Sequence, residues 1–178
     1  NGQLTGYLEM IGVPHSTCPS LTSAMTFDKY ICNNYLRGMG IAVADSAVVM
    51  KGKSYDVKSI AERLGMPCFV KPAAGGSSFG VSKVKRIEDM QPAIEKAFTE
   101  SDEVVVESFL DGIEVTCGLY KTKSRTVVFP LTEVVSSNEF FDYEAKYTPG
   151  VASEITPARV PDEIRDKVQS IASEVYDM

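Results

Sequence analysis

Between Phe69 and Val84 the chain reads FVKPAAGGSSFGVSKV: a lysine at the end of an apolar run, a stretch of glycines and serines, then a second alternating run. Gly75, Gly76 and Gly80 add no side-chain bulk, so backbone N–H groups there can approach the oxygens of an anion closely, and Ser77 and Ser78 add hydroxyl donors. Lys71 supplies a fixed positive charge beneath them. The combination suits a bound phosphate, although taken alone it also fits a long flexible hairpin with an edge lysine. It is neither a Walker A loop nor a dinucleotide fingerprint: G-x-x-x-x-G-K-[ST] and G-x-G-x-x-G both open a helix, and neither occurs. After Gly80 the chain continues as VSKVKR, short and extended, so the loop is expected to join two antiparallel strands as a flap. Protein kinases place the lysine strand after the glycine flap and carry H-R-D and D-F-G elements; here the lysine comes first and those elements are missing. Further on, VVVESFLDGIEVTCGLY sets Glu107 directly after an apolar strand and Glu114 at the start of the next.

These residues need elements to hold them. LTSAMTFDKYICNNYLRGMG reads as one helix with Ser/Thr capping candidates and a stop at Gly38 or Gly40, followed by a strand, IAVADSAVVM. YDVKSIAERLG repeats the form, with Asp56 as N-cap, Val57, Ile60, Ala61 and Leu64 at helical spacing, and Gly65 as the stop. PCFV is the strand that delivers Lys71. RIEDMQPAIEKAFTES predicts a further helix, and EVVVESF, GIEVTCGLY and RTVVFPLTEVV predict three strands. SSNEFFDYEAKYTPGVASEITPARVP is expected to be a long irregular loop of the substrate-covering kind. Without a regular βαβ repeat, the fold class is α+β, antiparallel sheets with packed helices.

Composition limits the function. The 178 residues carry a formal net charge of −6, which argues against a nucleic-acid surface, since that requires a basic stripe. No run approaches the roughly 18 apolar residues of a membrane span, and the start shows no secretory signal pattern, so the cytoplasm is the default location. Cys18, Cys32, Cys68 and Cys117 are widely spaced, with His15 as the one imidazole. Zinc and a disulfide framework are therefore not expected, and four reduced thiols are.

The linked motifs, from NGQLTGYLEMIGVPHST through FVKPAAGGSSFGVSKV and VVVESFLDGIEVT to FFDYEAKYTPG, resemble the D-alanine:D-alanine ligase family of the ATP-grasp fold, in the expected order and over nearly the whole chain. The resemblance implies that Lys29 and Lys71 reach the phosphates of ATP, and that the flap residues Gly76, Ser77 and Ser78 cover them. It implies that Glu107 accepts from the adenine amino group with the backbone of Leu110 beside it, that Glu114 binds the ribose hydroxyls, and that Lys146 faces the terminal phosphate. Ser77 and Tyr147 match the pair that helps close the site over the amino-acid substrate, so Ser77, Lys146 and Tyr147 are the catalytic candidates.

The implied reaction joins two D-alanines through an acyl phosphate for the peptidoglycan precursor, with ATP and magnesium. Other ATP-grasp carboxylate:amine ligases, a D-alanine:D-lactate enzyme and a non-catalytic nucleotide-binding module are the alternatives. Tyr147, where depsipeptide-forming relatives tend to carry Phe, favours the dipeptide. The resemblance divides the chain into the tail of an N-terminal domain (1–20), a central ATP-grasp subdomain (21–103) and the first part of a C-terminal domain (104–178), and allows a homodimer of the intact protein. Gly75 stands where many relatives carry Glu. The family's magnesium ligands have no counterpart here, and the chain opens without Met and closes on VPDEIRDKVQSIASEVYDM, an amphipathic helix without a C-terminal cap. The expectation is a fragment cut at both ends and inactive alone.

Overall fold

The computed structural model describes residues 1–178, which divide into two compact units, Asn1–Leu110 and Asp111–Met178. The first is built on a four-stranded sheet, β1 (Ser46–Met50), β2 (Cys68–Pro72), β3 (Ser82–Val84) and β4 (Glu103–Ser108), in the order β1-β4-β2-β3 with every neighbouring pair antiparallel. Alternation along each strand sorts its residues between two faces. Val49, Cys68, Val70, Val84, Val104 and Val106 face a core completed by two helices, α4 (Val57–Leu64) and α5 (Met90–Ala97), through Ala61, Leu64, Met90 and Ile94. Each fully buried aliphatic side chain of this kind contributes about 1.5–3 kcal/mol. The residues between them in sequence, Phe69, Lys71, Lys83 and Glu107, therefore lie on the opposite face.

Helix α4 has the start and stop read from the sequence: the Asp56 side chain accepts from the Lys58 amide, and Gly65 follows the last turn with φ 75°. The expected single helix over 21–40 is instead two, α2 (Ser20–Phe27) and α3 (Lys29–Gly38), preceded by α1 (Gln3–Met10). The break is at Asp28. Its backbone is extended, its side chain accepts from the Ile31 amide to cap α3, and it forms a β-bridge with Ala74. The Lys29 amide donates to the Ala73 carbonyl at 2.9 Å. A long-range pairing has thus outweighed the local helical pattern, and it ties the start of α3 to the chain leaving β2.

The second unit holds a three-stranded sheet, β5 (Glu114–Thr116), β8 (Thr132–Ser136) and β9 (Ala152–Ile155), a hairpin of β6 (Leu119–Lys121) and β7 (Thr126–Val128), a short helix α6 (Tyr143–Tyr147) and the long helix α7 (Asp162–Asp177). Each of the two long strands expected here is broken in two. β5 pairs with β8 while β6 pairs with β7, so Cys117–Gly118 and Phe129–Pro130 are where the chain changes sheets. Pro130 has no N–H to extend a ladder. The expected irregular loop is also ordered: Asp142 caps α6 by accepting from the Ala145 amide, and β9 adds to β8 from Ser136↔Ala152 to Glu133↔Ile155.

Glu133, buried in β8, is forked by Arg159: Nε donates to Oε2 at 2.9 Å, Nη2 to Oε1 at 2.8 Å, and the Arg159 amide adds a third bond. The guanidinium bonds hold the Glu133 carboxyl below the usual range, and the Ala145 amide followed by the Asn138 side chain does the same for Asp142. The unfolded chain then binds more protons than the folded one, so this stabilisation is complete above the unfolded carboxylate pKa of about 4 and is lost as pH falls through the lower folded values. Melting temperature is expected to drop on acidification below about pH 4, with a shallower drop in Glu133→Gln. An identical acid limb in that variant would show that the fork contributes nothing.

Candidate functional site

Lys71 and Glu107 meet on the open face of the first sheet. Lys71 lies opposite Val105, and Glu107 lies opposite Phe69 on one side and Ser46 on the other, inside β4 rather than after it. The Lys71 Nζ is 2.5 Å from Glu107 Oε2, with the carboxylate side chain 8% exposed and the lysine 26%. Asn33, on α3, donates from Nδ2 to the other oxygen, Oε1, at 3.0 Å. A buried carboxylate needs such partners, because an unpaired one is costly. Aromatic rings flank the pair: Phe69 and Phe109 lie 6.1 Å apart at their centroids, with Lys71 Nζ 5.2 Å from the Phe69 ring and Lys83 Nζ 4.2 Å from that of Phe109. Two ammonium groups, one carboxylate and two rings on one sheet face suit a ligand with an anionic end and a flat polar end.

The flap stands at the end of β2. β2 and β3 pair as expected, Cys68↔Val84 to Val70↔Ser82, so the glycine-serine segment does join antiparallel strands. Ser77 and Ser78 both take left-handed backbone, φ 53° and 58°. Two consecutive non-glycine residues there cost of order 1–3 kcal/mol each, and strain of that kind gathers at ligand clamps. Gly80 has φ 69°, and a Cβ on it would sit 2.9 Å from Pro72 Cγ and 3.0 Å from Glu100 Cγ. At the root of the flap Lys29 Nζ donates to the carbonyls of Pro72 (3.0 Å) and Gly75 (3.1 Å). Lys29, which the resemblance assigns to the phosphates, here braces the root of the loop.

Lys29, Lys71, Gly76, Ser77, Ser78 and Glu107 thus share the open face and flap of the first unit, which ends at the exposed Leu110. Glu114, Lys146 and Tyr147 belong to the second: Glu114 opens β5, and Lys146 and Tyr147 end α6, where the Tyr147 ring lies 4.7 Å from that of Tyr143 and Lys146 Nζ lies 5.2 Å from that of Phe141. Sequence reasoning missed Asn33. The available signal was its spacing: it comes four residues after Lys29, one helical turn along the same face. The four cysteines are unbridged, and burial pushes the Cys68 thiol up to about 11, which leaves it unreactive.

A family model described as D-ala D-ala ligase C-terminus matches residues 35–178. A D-alanine–D-alanine ligase from Phocaeicola vulgatus is 56% identical over all 178 residues, which cover 55% of its length, and one from Parabacteroides distasonis is 53% identical with 54% of its length covered. The chain spans about half the length of the curated relatives it matches. Among solved structures, the VanG D-Ala:D-Ser ligase of Enterococcus faecalis superposes with a TM-score of 0.87 at 34% identity over 99% of this chain and 51% of its own. The D-alanine–D-alanine ligase of Bacillus anthracis complexed with ATP superposes with a TM-score of 0.80 at 27% identity, over 99% of this chain and 54% of its own. With the match to the family model running from residue 35 to the last residue, and the fold shared with these enzymes over nearly its full length, this chain belongs to the D-alanine–D-alanine ligase family and has its ATP-grasp fold.

Proposed function

We propose that this chain is the nucleotide-handling part of an ATP-dependent D-alanine:D-alanine ligase, which supplies the dipeptide of the peptidoglycan precursor in the cytoplasm. The observation that carries the reading is the Lys71–Glu107 pair beneath a glycine-serine flap, in a chain 56% identical to a ligase of that name. In this reading Lys71 turns its ammonium to the phosphates, Glu107 accepts from the adenine amino group beside the Leu110 backbone, and Glu114 binds the ribose hydroxyls. Lys146 faces the terminal phosphate. Lys29 reaches the phosphates from the flap root, and the backbone amides of Gly76, Ser77 and Ser78 cover the phosphate oxygens. Ser77 and Tyr147 close over the amino acids.

One D-alanine carboxylate attacks the γ-phosphorus and ADP leaves; the amine of a second D-alanine then attacks the acyl phosphate and inorganic phosphate leaves as the amide forms. Bringing a carboxylate to a triphosphate sets two anions against each other, so catalysis consists largely of positioning and fixed positive charge. No group of three or more His, Cys, Asp or Glu gathers here as a metal-binding set. Glu133 is engaged by Arg159, and Asp142 by Ala145 and Asn138. The roles assigned to this chain fall to its lysines, carboxylates and backbone donors.

The test is D-alanine-dependent ADP release, with D-alanyl-D-alanine as product, from the protein extended to the length of its relatives. ADP release without dipeptide, or mainly D-alanyl-D-lactate when both substrates are supplied at neutral pH, would overturn the reading. Within it, Glu114→Ala should weaken adenosine and ATP alike, each roughly tenfold, since a ribose contact is common to both. A loss confined to ATP would exclude the ribose role.

A further inference from the structure

Both oxygens of Glu107 are held, and the two holders differ in kind. Lys71, on Oε2, is the group that a bound triphosphate would draw away. Asn33, on Oε1, is neutral and comes from a helix whose first turn is fixed by the Asp28 cap and by the Lys29 amide on Ala73. A carboxylate held at one oxygen retains a broad torsion about its terminal bond. A donor on the second oxygen fixes its plane, and with it the direction of the remaining lone pairs. A carboxylate offers about four such acceptor positions, so a bond from Asn33 leaves room for a ligand's N–H.

Ser46 adds an independent observation. It is 7% exposed, and its Oγ is buried with no hydrogen-bond partner. It lies directly across from Glu107 on β1. The bonds of the Ser108 amide to the Asp45 carbonyl and of the Lys51 amide to the Asp102 carbonyl mark Asp45/Ser108 and Lys51/Asp102 as hydrogen-bonded pairs. By alternation Ser46/Glu107 is a non-hydrogen-bonded pair, the kind in which side chains approach most closely. A buried hydroxyl left without a partner at such a place is a donor in reserve for the carboxylate once Lys71 turns to phosphate.

We propose that Asn33 is the positioning residue of the nucleobase site, fixing the plane of the Glu107 carboxylate, with Ser46 as its second support, so that the site prefers a purine bearing an amino group at position 6 over one bearing a carbonyl. The inference rests on the proposed nucleotide reading of Glu107. A carboxylate aimed at that position accepts from an amine and repels a carbonyl oxygen, and its discrimination depends on how well its orientation is held.

The test compares kcat/KM for ATP and for inosine triphosphate in the protein extended to its relatives' length, using Asn33→Leu, which removes the donor at similar size, and Asn33→Asp, which sets a second carboxylate against the first. Both variants should lower the ATP-to-inosine-triphosphate ratio roughly tenfold relative to wild type, with most of the loss on ATP. Ser46→Ala should lower it further when combined with Asn33→Leu. Equal losses on the two nucleotides would mean that Asn33 supports the fold without orienting the carboxylate, and no loss on either would mean that it does neither; both results overturn the proposal. A wild-type enzyme that is itself indifferent between the nucleotides would instead sink the adenine role of Glu107. Should Asn33→Leu fail to fold, the Asn33→Asp ratio decides.

Discussion

Lys71→Ala is expected to weaken ATP ten- to a hundredfold while changing adenosine severalfold at most, because on the proposed reading it deletes a charge-assisted phosphate contact that adenosine never makes. The residual adenosine effect is expected because the same ammonium also neutralises Glu107. Removing it leaves a carboxylate only 8% exposed with Asn33 as its partner. Breaking a fully buried pair costs about 3–5 kcal/mol, and the partial exposure of Lys71 brings the expected loss of stability to about 2–3 kcal/mol. The two effects separate in a double-mutant cycle. Glu107→Gln added to Lys71→Ala should recover most of the stability, since no buried charge remains, yet recover none of the ATP affinity. Calorimetric titration with ATP and adenosine, beside urea unfolding, reads both. Equal losses on the two ligands would count against a phosphate role for Lys71.

Gly80→Ala is the second large effect. A left-handed backbone costs an alanine about 1 kcal/mol, and the new methyl would sit 2.9 Å from the ring of Pro72, which is fixed in β2, and 3.0 Å from Glu100 Cγ, which can swing aside. The expected destabilisation is about 2 kcal/mol or more in all, with the loop displaced and ATP weakened at least tenfold. Gly76→Ala provides the contrast. Its φ is not left-handed and nothing lies within 4 Å of its added Cβ, so stability should stay within about 0.5 kcal/mol. If both substitutions were equally harmless in unfolding and in ATP binding, the flap would not depend on close packing at Gly80.

The connection made by the flap was legible in the sequence, because glycine and serine between two short extended runs mark a turn between antiparallel strands, and the order of lysine and loop is a matter of chain direction. The α4 boundaries were legible for the same local reason: Asp56 and Gly65 act on their own helix. Asp28 was not. It sits within a run whose spacing favours an uninterrupted helix, and what extends its backbone is a pairing with Ala74, 46 residues away. The splitting of the expected strands at Cys117–Gly118 and Phe129–Pro130 likewise depends on which partner strand each half finds. β9 was hidden because ASEI carries too little apolar alternation to stand out, and it becomes a strand by adding to β8. Asn33 gave only the signal of its spacing from Lys29, since a single asparagine on a helix has many solvated uses.

The bracing of residues 72–75 by α3 determines how long a lever the flap can be. With the Asp28 bridge, the Lys29 amide on Ala73 and the Lys29 ammonium on Pro72 and Gly75 all engaged, the chain on the β2 side can swing only beyond Gly75, and on the other side it is stopped by the fit of Gly80 against Pro72 and Glu100. The fulcrums are thus close together, with only Gly76, Ser77, Ser78 and Phe79 between them. A lever that short cannot sweep aside to admit a ligand from above, as a long lid does. It can only tilt its own amides, and amide exchange at Lys29, whose N–H is bound to the Ala73 carbonyl, should be as slow as in the body of α3.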